Sequence, residues 1–524
     1  MSMTGKYEKL MKKTTANTIG RIVLFALAVI IQVLWIIFVI LVLNKRFGFV
    51  TTIINILCLF AVLWIVSKDM NPAYKLAWTI LILSVPIAGA VIYLMFGDSR
   101  MSHQLNARMK QADREASAYL TAQRDVQDAL EVEDEAARRQ SDYIWEHAGF
   151  PVYANTQTRY FGSGEEFFPV FLEALKKAEH YIFMEYFIID DGEMWQSVLD
   201  ILEEKAKLGL DVRMIYDDWG CASKMPQTFE WQLKAKGIRC EVFNPLIPVA
   251  SIVLNNRDHR KITVVDGHTA FTGGINLADE YINRIERFGY WKDSAVMMHG
   301  DAVWSFTVMF LEMWSVLARE KVSYQNYLPH HWHEEAFTGE DYGGYVQPYC
   351  DTPLDHETVG ENVYLNIINR AERYVYIFTP YLIIDNEMQT ALALAAKSGI
   401  DVRIVTPAIP DKKAVFLLTQ SYYEPLLRSG VRIYEYTPGF IHAKSFVCDD
   451  KIATVGSINL DYRSLYLHFE CGVWMYGTAA VAAVKEDALA VFAQSREVAL
   501  EDCEKKSFVR HFGQSILRLF APLL

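Results

Sequence analysis

The 524-residue chain has no CxxC pair, and its seven cysteines, at positions 58, 221, 240, 350, 448, 471 and 503, are scattered and odd in number. That excludes a complete disulfide framework and leaves the thiols as ordinary apolar residues. A surplus of positive charge is missing too. Lys and Arg number 51 against 63 Asp and Glu, a formal charge of −12, which excludes nucleic-acid binding as the main business because such proteins neutralise phosphates with excess Lys and Arg. Local basic clusters can still hold single phosphates. Charged residues are only 22% of the chain beside 52% apolar ones, a balance that points to a part buried in lipid.

What is there begins with three apolar runs. Residues 22–43 are apolar except for Gln32, and as a helix they reach roughly 33 Å, enough to cross a bilayer core. Asn44, Lys45 and Arg46 follow directly, where a cleaved secretory signal would have small residues. Residues 50–66 span only about 26 Å, whereas residues 76–96 are long enough despite Pro86 and Gly89. The expectation is two or three transmembrane helices, the first and third without a polar face. Lys6, Lys9, Lys12, Lys13 and Arg21 put the N-terminus in the cytoplasm, so three spans would export the remainder and two would keep it inside. Residues 99–149 turn polar and helix-prone and read as a solvated connecting helix.

From residue 150 the texture is α/β, and the chain repeats itself. AEHYIFMEYFIIDDG (178–192) answers AERYVYIFTPYLIIDNE (371–387), and LGLDVRMIYDD (208–218) answers SGIDVRIVTPA (398–408). KGIRCEVFNP (236–245) answers SGVRIYEYTP (429–438), and DSAVMMHG (293–300) aligns with ECGVWMYG (470–477). Two units of ordinary domain size follow, each a sheet covered by helices. Each carries the same frame: His259, Lys261, Asp266, a Gly pair and Asn276, then His442, Lys444, Asp449, Gly456, Ser457 and Asn459. On a strand, His and Lys at i and i+2 share a face.

One His, Lys and Asn from each copy, brought together across a pseudo-twofold axis, suit a phosphodiester. The Lys and Asn side chains would stabilise charge on the non-bridging oxygens, one neutral imidazole would attack phosphorus, and the opposite imidazolium would protonate the departing alcohol. Each ring needs a partner to hold its tautomer, and the repeat nominates Asp293 and Glu470, which occupy aligned positions. Asp266 and Asp449 lie near strand ends, where a turn role is at least as good a reading as chemistry. Duplication of a core pattern would repeat apolar positions, but it does not explain the repeated Lys261 and Lys444, because lysine is rarely buried unpaired.

With both motifs in view, the chain resembles the phospholipase D superfamily, whose signature H-x-K-x4-D-x6-G-[GS]-x-N is met twice. It is similar in particular to bacterial cardiolipin synthases, through NPAYKLAWTILILSVPIAGAVIYLMFG, EYFIIDDG, FNPL, NNRDHRK, NLDYRS and the terminal PLL. The resemblance implies two pseudo-twofold-related phospholipase D-like domains, residues 150–325 and 326–505, each a mixed sheet flanked by helices. They would follow a transmembrane region (1–98) and a helical linker (99–149). It implies transfer of a phosphatidyl group between two phosphatidylglycerol molecules to give cardiolipin and glycerol, without a metal or other cofactor. His259 would be the nucleophile and His442 the acid and base, with Lys261, Lys444, Asp266 and Asp449 in the catalytic signature. The implied partners are anionic phospholipid and membrane, not nucleic acid, at the bacterial inner membrane as a multi-pass protein; a homo-oligomer is left open. A hydrolase releasing phosphatidic acid is the alternative. His468 departs from the pattern, standing where the family often has Asn, and residues 50–66 add a run to the usual pair.

Other signals are weaker. The C-terminal amphipathic stretch 506–524, with Arg510, His511 and Arg518, reads equally as a membrane-interface helix or a helix docked on the catalytic core. LIPVASIVL (246–254) is either an apolar lip or a buried strand, and HHWHEE (330–335) reads as a solvated loop rather than a ligand set. Asp217 and Asp218 would rim the site or, more often, cap a helix.

Overall fold

A computed structural model describes residues 48–97, 103–245, 256–328, 343–355, 357–505 and 507–523. It divides into two compact units, one drawn from residues 1–98 and the other from 99–522.

In the first unit, helices Gly48–Ser67, Pro72–Ser84 and Pro86–Phe96 follow one another. The continuous span expected over residues 76–96 is broken at Val85, whose backbone leaves the helical region (φ −136°, ψ 77°). Proline lacks the N–H and disfavours helical geometry in the residue before it, so Pro86 starts a new helix instead of being absorbed. A Cβ on Gly89 would stand 2.5 Å from the Leu81 carbonyl oxygen, so only glycine permits this close return. Among the described residues no helix is both long and apolar enough to cross a membrane, and the run 22–43 lies outside them. The Gly48–Ser67 helix nevertheless leaves Phe49, Leu57, Phe60, Leu63 and Trp64 exposed.

The second unit holds both copies of the repeat. The first contributes β1 (Thr156–Phe161), β2 (Tyr181–Tyr186), β3 (Asp211–Asp217), β4 (Arg239–Phe243), β5 (Lys261–Val265), β6 (Thr269–Gly273), β7 (Tyr290–Lys292) and β8 (Ala295–Gly300). Then come β9 (Tyr345–Asp351), β10 (Tyr374–Phe378), β11 (Leu382–Ile383), β12 (Asp401–Pro407), β13 (Arg432–Tyr436) and β14 (Gly439–Ile441). The chain closes with β15 (Ser445–Cys448), β16 (Ile452–Gly456), β17 (Leu460–Asp461), β18 (Glu470–Tyr476) and β19 (Ser495–Glu497). The first large sheet runs β1-β8-β6-β5-β2-β3-β4 and the second β9-β18-β16-β15-β10-β12-β13-β19. Position for position the two orders are the same, with β19 added at one edge. Both sheets are mixed: β2, β3 and β4 are parallel, as are β10, β12 and β13, while the motif strands β5 and β15 pair antiparallel.

The two copies do not form separable domains. Ile262, Val264, Val296 and Met298 from the first sheet and Val447, Ala453, Val455 and Val473 from the second belong to one buried core, which also holds the helix Val303–Ala318. The outer face of the first sheet is covered by helices Gly164–Lys177 and Glu193–Lys207. Strands also cross between copies, since β7 pairs in parallel with β14, setting Trp291 against Phe440 and Lys292 against Ile441. Asp487 of the second copy accepts from Tyr160 Oη at 2.6 Å and Lys292 Nζ at 2.7 Å in the first.

The polar stretch after the first unit is not a free linker. Its last helix, Glu135–Ala148, docks on the second copy: Gln140 Nε2 donates to the Val363 carbonyl (3.2 Å), and its Oε1 accepts from Trp474 Nε1 (3.0 Å). Arg370 pairs with the helix-capping Asp134 at 3.1 Å.

Candidate active site

His259 enters the site just before β5. Its backbone N–H donates to the Phe469 carbonyl at 2.9 Å, and the Phe469 N–H returns to the Arg257 carbonyl at 2.8 Å. This cross-copy bridge sets the imidazole beside Glu470, whose Oε1 and Oε2 accept from Nδ1 at 2.9 and 3.0 Å. The second copy repeats the device, because β14 runs along β7 and delivers the His442 N–H to the Lys292 carbonyl at 2.7 Å. His442 Nδ1 then donates to Asp293 Oδ2 at 2.7 Å. Each histidine is thus oriented by the acid of the opposite copy. A carboxylate on Nδ1–H leaves the Nε2 lone pair free, the tautomer a nucleophile or base requires.

The acids are buried but kept ionised. Burial pushes the Glu470 carboxyl up, yet the His259 contact outweighs it and holds Glu470 well below the usual carboxylate range. Burial likewise opposes Asp293, which His442 and Lys444 hold down. Ser457 Oγ also donates to Glu470 Oε2. The matching residue in the first copy is Gly274, where a Cβ would fall 2.1 Å from Asp293 Oδ1, so the shorter acid comes with the residue that has no side chain.

Lys261 and Lys444 are almost fully buried, and each ammonium donates to the carbonyl of its own copy's histidine, His259 and His442. Burial lowers Lys261 to about 8 and Lys444 to about 7. Lys261 in turn depresses both His442 and Lys444, so the charges of the two copies act on one another. Burial takes His259 down to about 3 and His442 to about 4, and both rings are neutral at neutral pH. A signed prediction follows for kcat/KM, which reports the free enzyme. The lysine cations that would receive an anionic phosphodiester are present below their depressed values and lost as pH rises through 7 to 8. Because kcat/KM counts the proton that His442 must acquire to act as an acid, the expected profile falls about tenfold per pH unit above about pH 4 and more steeply above about pH 7, where the lysine cations are lost; a profile still climbing at pH 8 would contradict the two-lysine receptor.

The asparagines differ. Asn276 is committed, accepting from the Ile188 N–H at 3.0 Å and donating to Tyr281 Oη at 2.8 Å. Asn459 Oδ1 is buried without a hydrogen-bond partner among the described residues. Asp266 and Asp449 are not brought to this centre. They turn the chain in left-handed conformations (φ 50° and 54°) at the far ends of β5 and β15. Asp266 accepts from the N–H groups of Glu179, His180 and Tyr181 at 2.7–2.8 Å, and Asp449 from Glu372, Arg373 and Tyr374 at 2.7–2.9 Å. Five residue steps along the strand separate Lys261 from Asp266, roughly 16 Å. Their described contacts satisfy the start of the neighbouring strand, a structural role at the opposite end of the motif strand from the histidines.

Asp217 is likewise a buried cap, accepting from the Trp219 and Gly220 N–H groups at 2.8 and 3.3 Å and pairing with Arg257. Residues 246–254 and 330–335 lie outside the described residues. Sequence reasoning passed over the aromatic walls. Phe187 stands edge-on to the His259 ring at 4.9 Å, and Tyr281 and Trp291 flank His442 at 5.6 and 5.5 Å. Only tertiary structure assembles them, though Trp291 lies two residues before Asp293. Arg260, between the two motif residues, forms a buried pair with Glu185 and Asp258 that stiffens the segment.

Comparison with known proteins agrees with this geometry. The family described as "Cardiolipin synthase, PLD-like domain" matches residues 171–305 and again 364–491, and "Phospholipase_D-nuclease N-terminal" matches 53–97. A cardiolipin synthase of Geobacillus kaustophilus is 34% identical over 92% of this chain and 95% of its own length. A Streptococcus mutans protein described as uncharacterized is 44% identical over 88% of this chain and 99% of its own. The crystal structure of phosphatidylserine synthase from Haemophilus influenzae shares the fold at a TM-score of 0.55, with 17% identity, over 74% of this chain and 97% of that one. On the family match and the identity with the Geobacillus protein, the chain belongs to the cardiolipin synthase family and carries its phospholipase D-like domain twice.

Proposed function

We propose that the chain is a membrane-associated phosphatidyltransferase that joins two phosphatidylglycerol molecules into cardiolipin and releases glycerol. The observation that carries this reading is the crossed pair of hydrogen bonds, His259 to Glu470 and His442 to Asp293, which sets both imidazoles at one interface between the copies. His259 Nε2 attacks phosphorus, and a P–N bond forms as the P–O bond to the headgroup glycerol breaks. His442, charged once the anionic substrate has raised its proton affinity, gives its proton to the departing alkoxide. The now neutral His442 takes the proton from a hydroxyl of the second phosphatidylglycerol, whose oxygen displaces His259 from phosphorus. Lys261 and Lys444 stabilise the charge on the non-bridging oxygens throughout.

Access to lipid is supported by the helix Phe508–Phe520. Its polar side docks on the protein through Gln514 Nε2 to the Leu417 carbonyl (3.1 Å), Arg518 to Gln389 (2.7 Å) and Arg518 over the Tyr422 ring (4.4 Å). Phe508, Val509, Phe512 and Ile516 face outward and are exposed. An amphipathic helix turned apolar side out belongs against acyl chains. The test is detergent-solubilised or vesicle-reconstituted protein given phosphatidylglycerol as the sole lipid. Cardiolipin and glycerol in equal amounts are expected, and substitution of Phe508 and Phe512 by Asp is expected to weaken vesicle binding. Phosphatidic acid as the only product would overturn the transferase reading in favour of hydrolysis.

A further inference from the structure

One partly buried imidazole is left unused by this chemistry. His468 sits two residues before Glu470, its ring 5.7 Å from the His259 ring, and neither of its nitrogens has a hydrogen-bond partner among the described residues. Its side chain is 10% exposed, and Nδ1 lies 3.8 Å from Glu470 Oε1, the oxygen that also accepts from His259 Nδ1 at 2.9 Å. One ligand atom each from His259, His468 and Glu470 can be chosen so that all three lie within 4.8 Å of one another. A tetrahedral zinc with bonds near 2.1 Å needs ligand atoms about 3.4 Å apart. The 2.9 and 3.8 Å separations from Glu470 Oε1 bracket that value, and the two imidazole ligand atoms lie within 4.8 Å of each other, so the site closes by side-chain movement. Two imidazoles and one carboxylate are a common donor set for borderline divalent transition metals. Glu470 is already oriented from behind by Ser457, as metal-binding carboxylates usually are.

We propose that His259, His468 and Glu470 bind a divalent transition metal of the zinc class, and that its binding switches the enzyme off. A metal on His259 Nδ1 takes the lone pair that this nitrogen exposes once its proton has gone. The proton is re-bound at Nε2, because a neutral imidazole keeps one N–H. No net proton is lost from the ring, but the nitrogen that would attack phosphorus is now capped. The ion acts here as a competitor for the nucleophile, not as a participant in transfer.

The test uses the full-length protein in detergent, freed of metal with a chelator and titrated with cobalt(II) chloride in the absence of lipid. One equivalent is expected to give the visible d–d absorption of a site with nitrogen and oxygen ligands, and zinc chloride is expected to abolish it by displacement. His468→Asn should lose the absorption and raise the zinc concentration for half-inhibition by about tenfold or more. In the native chain, zinc should protect His259 and His468, but not His442, from histidine-directed acylation mapped by peptide analysis. Absence of a cobalt spectrum in the native protein, unchanged zinc sensitivity in His468→Asn, or no protection of the first two histidines would each overturn the assignment. The cobalt and protection measurements need no turnover, so their outcome is independent of whether phosphatidylglycerol is the substrate.

Discussion

His259→Ala is expected to abolish transfer, with a loss on the order of 10⁴-fold or more, because no other group replaces a covalent nucleophile. His442→Gln is expected to lose about 10² to 10⁴-fold on phosphatidylglycerol, the range for a general acid and base. The two are separated by a phosphatidyl ester of p-nitrophenol, whose leaving group departs without a proton. With that substrate His442→Gln should release a burst of nitrophenolate and stall with the phosphatidyl group on His259, since no base remains to activate the acceptor hydroxyl. His259→Ala should give no burst. Acid-labile label mapped to the peptide containing His442, or a burst from His259→Ala, would exchange the roles.

The second large effect comes from the orienting acids, and its pattern is crossed. Glu470 lies in the second copy but holds His259 of the first, and Asp293 does the reverse. Glu470→Gln should therefore slow the burst itself, by about 10² to 10⁴-fold, because the nucleophile loses its tautomer. Asp293→Asn should leave the burst largely intact and slow the steady state by a similar factor. Those factors correspond to about 2.7 to 5.5 kcal/mol of transition-state stabilisation. Isosteric amides keep the volume and one hydrogen bond, and melting curves check that lost activity is not lost fold. A burst lost in Asp293→Asn and kept in Glu470→Gln would mean that the acids serve their own copies.

Much of this was legible before any coordinates. The duplication predicts two sheets with one strand order, and β2 to β6 with β8 find their counterparts as the aligned segments and motifs require. His and Lys two apart on the strand entry predict a shared centre, and the repeated acid predicts Asp293 and Glu470 as ring partners. The crossing of those partners was not legible, because it is set by the β7–β14 ladder and the Asp258–Phe469 bridge, contacts between segments far apart in sequence. Nor was the docking of residues 103–148. Gln140 and Asp134 look like solvated residues until Trp474, Val363 and Arg370 are placed against them. The amphipathicity of Phe508–Phe520 was plain, but which side faces inward depends on Leu417, Gln389 and Tyr422, none of them sequence neighbours. Pro86 was visible and undervalued, since a lone proline is compatible with a kinked membrane helix as well as with a true break.

The exchange of carboxylates has an evolutionary corollary. After the ancestral gene doubled, neither copy could drift alone: a change that shifts β18 disturbs the imidazole encoded some two hundred codons earlier. Selection thus acts on the fused pair as a single heritable object. Two half-genes expressed separately would have to find each other and reassociate before either product possessed a correctly held histidine.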